Sequence, residues 1–429
     1  MKYVILNRYP IGNKRFNWKQ KDFVFSTFQC HADDIESAIK NLKEAGFNLL
    51  EMGWMPHDKS FAIAELCEKY GIDVLFQDFA IMGGMQERYV DRKVDESVVK
   101  ELVEKLKNNK NVLGYYAWDE PYRDNELEEA RNQMNMLEKY APDALIFTVA
   151  IPSYNMEFTW ENGKFKEYLE KYINVIEPPV LSLDFYPVGL GKYTEKNELD
   201  DTLMWCDLGL MRNLCKKYDL PMWFYYQGCP VYDKNVHYTE SMTNAMLYSS
   251  LIYGVKGLQF YTAIDNSVID STGNKAQYFE NTRKTHDKVR AWGNTLMALE
   301  SKLVYHSKEL LPDCEYMEGL ADKIEDSNII KGELPKRTSV GELEDAYGNR
   351  YMLIVNRAFF EELNTTLNLK GKYNVYKESD VDGKQELIAQ NVDTLHISLP
   401  CGDGTLLRIQ PADEEICVID CAFACCHVM

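Results

Sequence analysis

The sequence predicts an α/β fold, a (β/α)8 TIM barrel followed by a small C-terminal antiparallel β-sandwich domain, and three observations carry that expectation. From residue 23 to about 300, short apolar runs rich in β-branched and aromatic residues alternate with amphipathic stretches, the pattern of successive βα units on a parallel sheet. Eight such units can be counted, in a length that suits a barrel of roughly 250 residues. After Leu303 the texture changes to short strands separated by turn residues, without amphipathic helices between them.

The strand candidates, in order, are Phe23–Gln29, Asn48–Trp54, Asp73–Asp78, Val112–Trp118, Leu145–Ala150, Val180–Phe185, Met222–Gln227 and Gly257–Thr262. Helical periodicity fills the intervals. Asp33–Ala45 places Ile35, Ala38, Ile39, Leu42 and Ala45 on one face, and Glu126–Tyr140 does the same with Leu127, Ala130, Met134 and Leu137. Gly46 and Gly71 stand where helices give way to the next strand, a position that favours a left-handed residue. A doubly wound open sheet is the alternative, but no glycine-rich phosphate loop follows the first strand.

In the C-terminal region, Tyr351–Asn356, Thr365–Leu369, Tyr373–Tyr376, Leu395–Leu399 and Leu406–Ile409 read as strands. They are punctuated by Tyr347-Gly348-Asn349, Leu369-Lys370-Gly371, Asp382-Gly383 and Cys401-Gly402-Asp403-Gly404. The expected division is therefore a barrel over 1–302, an accessory β-sandwich without its own acid cluster over 303–415, and a tail over 416–429 without fixed structure. The tail gathers Cys417, Cys421, Cys425 and Cys426 and ends Cys426-His427-Val428-Met429. That ending matches a prenylation box formally, and Cys425, Cys426 and His427 suggest a metal, but neither has a supporting motif.

A chain of 429 residues suits one large domain and one smaller one, and 45% hydrophobic residues can fill a large core. The net charge of -19 argues against nucleic acid or an anionic membrane as partner, since phosphate binding needs clustered Lys and Arg. Neutral ligands, carbohydrate among them, stay open. The apolar run in Met1–Pro10 is too short for a secretory signal and no later segment approaches a membrane span, so the chain as written reads as soluble and cytoplasmic. Most of the eleven cysteines lack metal-ligand spacing and fit reduced thiols used as small apolar residues. His31 and His57 are isolated, and neither a metal nor a cofactor is expected. The oligomeric state is left open.

The most informative stretch is Val112–Pro121, an apolar, aromatic strand that runs into Asp119, Glu120 and Pro121. Unpaired charge is costly in a strand interior, so these acids belong at an open strand end, where a barrel keeps its chemistry. Other strand ends are similarly polar and aromatic: Glu51 to Trp54, Asp78, Asp184 to Tyr186, Tyr226-Gln227, and Tyr261 with Asp265 nearby. Converging at one mouth, carboxylates and aromatic faces suit a sugar. Plainer readings stand beside these. Trp54 and Trp118 can cap the barrel core, Glu51 and Asp78 can be buried ions paired with a barrel Arg or Lys, and Asp265 can form a turn. Glu120 also sits at a helix entrance, where negative charge is favourable.

Gly114–Pro121 resembles the Asn-Glu-Pro strand-four segment of clan A glycoside hydrolases, with Asp119 in place of the Asn. Leu181–Pro187 is similar to strand six of family 42 β-galactosidases, and Pro221–Gln227 to their strand seven. The resemblance implies Glu120 as general acid/base, Asp119 as the neighbour that holds the sugar 2-hydroxyl, and Tyr186 as a site residue. It also implies an oligosaccharide or glycoside as substrate. At strand seven the family's nucleophilic Glu is replaced by Tyr226 or Gln227, so the usual second carboxylate is missing. Three routes to hydrolysis remain: Asp184 or Asp265 as an inverting base, attack by a substrate 2-acetamido group held by Asp119, or Tyr226 as nucleophile as in sialidases. Trp118, Tyr261 and Gln227 complete the expected sugar contacts, and a non-catalytic carbohydrate-binding barrel is the competing class.

Overall fold

The computed structural model describes residues 2–5, 10–53, 57–79, 81, 83–84, 94–154, 164–188, 197–200, 202–231, 236–264, 266–308, 320–414 and 416–419. Eight parallel strands, each followed by a helix, form the barrel. They are β1 (Val24–Phe28), β2 (Leu49–Glu51), β3 (Asp73–Phe76), β4 (Val112–Asp119), β5 (Leu145–Val149), β6 (Leu181–Asp184), β7 (Met222–Gln227) and β8 (Gly257–Tyr261). The helices are α1 (Ile35–Glu44), α2 (His57–Tyr70), α3 (Glu96–Leu106), α4 (Asp124–Tyr140), α5 (Lys164–Ile176), α6 (Thr202–Tyr218), α7 (Glu240–Leu251) and α8 (Phe279–Ala298). Every strand lies within a run expected from the sequence except β4, which runs one residue further, to Asp119.

Neighbouring strands pair in the order β5-β4-β3-β2-β1-β8-β7-β6. A single parallel bridge, Ala150 to Leu183, brings β5 back to β6, with the Ala150 amide donating to the Ser182 carbonyl at 2.9 Å. Because the strands are buried on both faces, their sequences are apolar throughout rather than alternating. Facing is nevertheless strict. Val24, Phe28, Leu49, Leu145, Phe147, Val180, Trp223 and Tyr225 fill the barrel interior, while Phe25, Leu50, Ile146, Leu181, Phe224 and Tyr226 pack outward against the helices.

β4 departs from this twice: its ladder with β3 shifts register between Val74 and Leu75, opposite Val112 and Gly114, and its ladder with β5 shifts between Tyr116 and Trp118. The second of these bulges sends both Ala117 and Trp118 outward and turns Asp119 to the same side as Tyr116. Beyond it the Glu126 carboxylate accepts from the Tyr122 and Arg123 amides at 3.1 and 3.0 Å. These bonds cap α4 and fix the chain as it leaves Glu120.

The C-terminal region is one curled antiparallel sheet of seven strands: β9 (Glu300–His306), β10 (Ile330–Lys331), β11 (Thr338–Glu344), β12 (Arg350–Asn356), β13 (Leu363–Glu378), β14 (Gln385–Leu399) and β15 (Gly404–Pro411). The segments 365–369 and 373–376, separated by a turn signal in the sequence, belong to the single strand β13. Lys370-Gly371 falls at a register irregularity inside it. Leu343, Tyr351, Leu353, Val355 and Leu406 join the core of the barrel's outer layer, whereas Met352, Ile354, Leu407 and Ile409 form a second core. A fully buried Arg357 reaches Glu198 at 2.9 Å, and Lys288 of α8 reaches Asp403 at 2.9 Å, so the sheet is clamped to the barrel. Of the tail expected to lack fixed structure, Ile416–Ile419 pairs in parallel with Lys2–Ile5; residues 420–429 lie outside the described residues.

Candidate active site

At the C-terminal ends of the strands a cavity of about 360 Å³ is lined by Phe28, Tyr116, Asp119, Glu120, Asp184, Tyr186, Tyr225 and Tyr261, among others. Asp119 and Glu120 come from the end of β4, and Asp184 is the last residue of β6. Glu120 has a left-handed backbone with φ of 50°, an uncommon conformation for a residue with a side chain. Each of the three acids keeps some exposed surface toward the cavity while protein encloses it elsewhere.

Glu120 and Asp184 are in hydrogen-bonding contact, an arrangement that requires one of them to hold a proton. Glu120 holds it. Burial, the Asp184 and Asp119 charges and the hydrogen bond to Asp184 together push its carboxyl well above the usual range. Burial also raises Asp184 to about 7, against the lowering effect of the bond from Glu120. Burial raises Asp119 to about 6, although the Tyr116 hydroxyl donates to it at 2.9 Å. A carboxyl pair in hydrogen-bonding contact leaves no room for a sugar or a water between its members, as a retaining or inverting pair would need. Asp184 therefore stands beside Glu120, not across the cavity from it.

Much of the remaining lining is aromatic, and Tyr186 stands beside Asp184, where its hydrogen bond works against the rise caused by burial. Tyr186 and Tyr261 stack with ring centroids 4.6 Å apart, and Phe28 lies 6.0 Å from Tyr261. Beneath them Glu51 is wholly buried at the end of β2 and accepts hydrogen bonds from Ser26, from Tyr225 and, at 2.8 Å, from the Gln259 amide. Gln259 in turn accepts from the Ser182 hydroxyl at 2.5 Å. Glu51, expected among the sugar contacts or, on the plainer reading, paired with an Arg or Lys, does not line the cavity, and its partners are hydroxyls and an amide.

Of the residues expected at the site, Asp119, Glu120, Asp184, Tyr186 and Tyr261 are brought together in this cavity. Trp118 is not among them. The β4 bulge turns it into the outer core, where it is 3% exposed. Tyr226 also faces outward. Its hydroxyl meets His286 Nε2 at 2.8 Å, and His286 Nδ1 meets the Ala45 carbonyl at 3.0 Å. Since a carbonyl only accepts, Nδ1 carries the ring proton and Tyr226 donates to Nε2, consistent with burial lowering His286 to about 3. Gln227 is fully buried and tied to backbone, accepting from the Val188 amide at 3.0 Å and donating to the Val188 and Cys229 carbonyls at 2.7 and 2.9 Å. Asp78 is buried and does not line the cavity. Trp54 and Asp265 lie outside the described residues. Tyr225 was read only as part of the aromatic end of β7, and Tyr116, Phe28 and Tyr154 are among the lining residues the sequence did not single out. Strict alternation from Trp223 would have placed Tyr225 inward and Tyr226 outward.

No family model matches the chain, and no curated protein does. Among solved structures, the β-D-glucuronidase of Dictyoglomus thermophilum aligns with 65% of this chain and 53% of its own at 14% identity and a TM-score of 0.46. The chain thus spans about half of that enzyme's length. A GH2 β-galacturonidase from Eisenbergiella tayi gives 12% identity, 65% and 54% coverage and 0.46. The α-L-arabinofuranosidase of Thermotoga maritima gives 10% identity, 95% and 99% coverage and 0.47. The functional reading rests on the side chains of the site.

Proposed function

We propose that the barrel mouth is a glycosidase site in which Glu120 protonates the leaving glycosidic oxygen. The observation that carries this reading is a carboxyl raised by burial and held against a second carboxyl, inside an aromatic cavity at the C-terminal ends of the strands. Glycoside cleavage needs an acid that is still protonated at working pH, and raising a Glu by burial and a neighbouring carboxylate is how such an acid is made. Asp184 keeps the proton on Glu120. Asp119, oriented by Tyr116, accepts from a sugar hydroxyl, and the Tyr186–Tyr261 stack offers an apolar surface to the C–H face of the ring.

The substrate is accordingly an oligosaccharide or glycoside. A panel of 4-nitrophenyl glycosides, N-acetyl sugars included, tests the reading. Turnover of at least one is expected, with kcat reduced about 10²–10⁴-fold in Glu120→Gln at unchanged circular dichroism. Turnover that survives Glu120→Gln removes Glu120 from the reaction. Binding of oligosaccharides without turnover of any glycoside makes the barrel a carbohydrate binder instead.

A further inference from the structure

We infer that Tyr225 and Glu51 supply the other half of this reaction, with the Tyr225 phenol oxygen as the nucleophile toward the anomeric carbon and Glu51 as the base that takes its proton. The inference rests on the reading of Glu120 as the acid. Tyr225 lines the same cavity as Glu120 but comes from β7, three strands around the ring from β4, so the two approach a bound sugar from different walls. Its hydroxyl donates to Glu51. Glu51 has two further donors, Ser26 and Gln259, and Gln259 is itself fixed by Ser182. Burial raises the Glu51 carboxyl, and the bonds from Gln259, Ser26 and Tyr225 oppose that rise and favour its acceptor form; two of these donors, Ser26 and Gln259, are fully buried and hold it in place. Tyr225 is the one of the three that lines the cavity.

A phenol is a poor nucleophile while it keeps its proton, and a hydrogen-bonded carboxylate behind it is the usual remedy. In the first step the bond from C1 to the leaving oxygen breaks as that oxygen takes the Glu120 proton. The Tyr225 oxygen bonds to C1, and its proton passes to Glu51. In the second step water attacks C1 and gives a proton to the Glu120 carboxylate. The bond from C1 to Tyr225 breaks, and the phenolate recovers its proton from Glu51. Two inversions leave the anomeric configuration retained, with a glycosyl-tyrosine as the intermediate. Carboxylate nucleophiles at the usual strand-seven position are thereby replaced by a neutral residue one position before Tyr226.

The test uses whichever 4-nitrophenyl glycoside the intact protein turns over. Proton NMR of the first-formed sugar identifies the anomer, and the matching 2-deoxy-2-fluoroglycosyl fluoride is used to trap the intermediate for peptide mass spectrometry. Retention is expected, with the fluoroglycosyl mass on Tyr225. Tyr225→Phe, whose ring fills the same space, and Glu51→Gln are each expected to lose roughly 10³-fold or more in kcat. Inversion overturns the inference and leaves Glu120 as the acid, as does a label on any other residue, retention with no label, or turnover by Tyr225→Phe within tenfold of the intact protein. Failure of the intact protein to turn over any glycoside removes this inference together with the glycosidase reading.

Discussion

The two ends of the barrel interior are built from the same strands and follow opposite rules. At the base, Trp18, Val24, Leu145, Phe147 and Trp223 close the interior, with Trp223 set 5.7 Å from Phe147 and edge-on to Trp18 at 6.4 Å. Polar atoms there are matched. The Trp223 indole donates to Gln20 at 2.9 Å, and the Gln20 amide donates to the Lys256 carbonyl at 2.7 Å. Gly257 is required beside them, because a Cβ at that position would lie 2.6 Å from the Trp223 ring. At the mouth, three carboxyls share a cavity and burial opposes the charge of each. The base lowers the energy of the fold, whereas the mouth raises it and gains chemistry in return.

Trp223→Ala is the largest expected break in that comparison. It should cost about 3–5 kcal/mol of unfolding free energy, because the indole, its ring contacts and the Gln20 bond are lost together and a cavity remains. Urea denaturation measures it. A cost under about 1 kcal/mol would mean that the base is not the filled layer described here.

A smaller effect, driven by charge rather than packing, is expected at the mouth. Asp184 has a folded value of about 7 against roughly 3.9 in an unfolded chain, so the unfolded state binds fewer protons between these values. Stability is then fully present below about pH 4 and lost as pH rises through about 7, by at most about 4 kcal/mol for a group acting alone. Because Asp184 shares its proton with Glu120, the loss belongs to the pair. The urea midpoint of the intact protein should therefore fall from pH 5 to pH 8, and Asp184→Asn should fall less. Equal slopes in the two proteins would show that the mouth stores no such cost.

The same substitution sharpens the comparison kinetically. With the Asp184 charge removed, one cause of the raised Glu120 value is gone, so Glu120 deprotonates at lower pH. The alkaline limb of kcat/KM should move down by about one unit, worth about 1.4 kcal/mol. An unmoved limb would assign it to another group.

Much of the mouth was legible because acids at the ends of apolar strands have few places to go. Asp119, Glu120 and Asp184 fall where that argument puts them, and so do Tyr186 and Tyr261. Trp118 was misplaced because a bulge changes the facing of every residue after it, and nothing in Gly114–Asp119 marks one. Glu51 was recognisable as a buried acid, but its partners Ser26, Tyr225 and Gln259 come from three other strands and leave no local pattern. In the second sheet, Lys370-Gly371 looked like a turn and is an irregularity within β13, since local turn chemistry does not report the long-range pairing that carries a strand past it.

Strand β7 shows the limit most clearly, and its two tyrosines provide the mildest test. Met222–Gln227 is aromatic on both faces, so its sequence carries no contrast between inside and outside. The structure puts Tyr225 on Glu51 and Tyr226 on His286. Tyr226→Phe keeps the ring against Phe260 but strands His286 Nε2 without its donor, which should cost about 1–3 kcal/mol in the buried outer layer. Its kcat/KM on a turned-over glycoside should stay within about twofold, since no part of Tyr226 lines the cavity. A tenfold loss in Tyr226→Phe at intact fold would mean that the outer face of β7 reaches the chemistry, and the separation between a structural and a reactive face of this strand would fail.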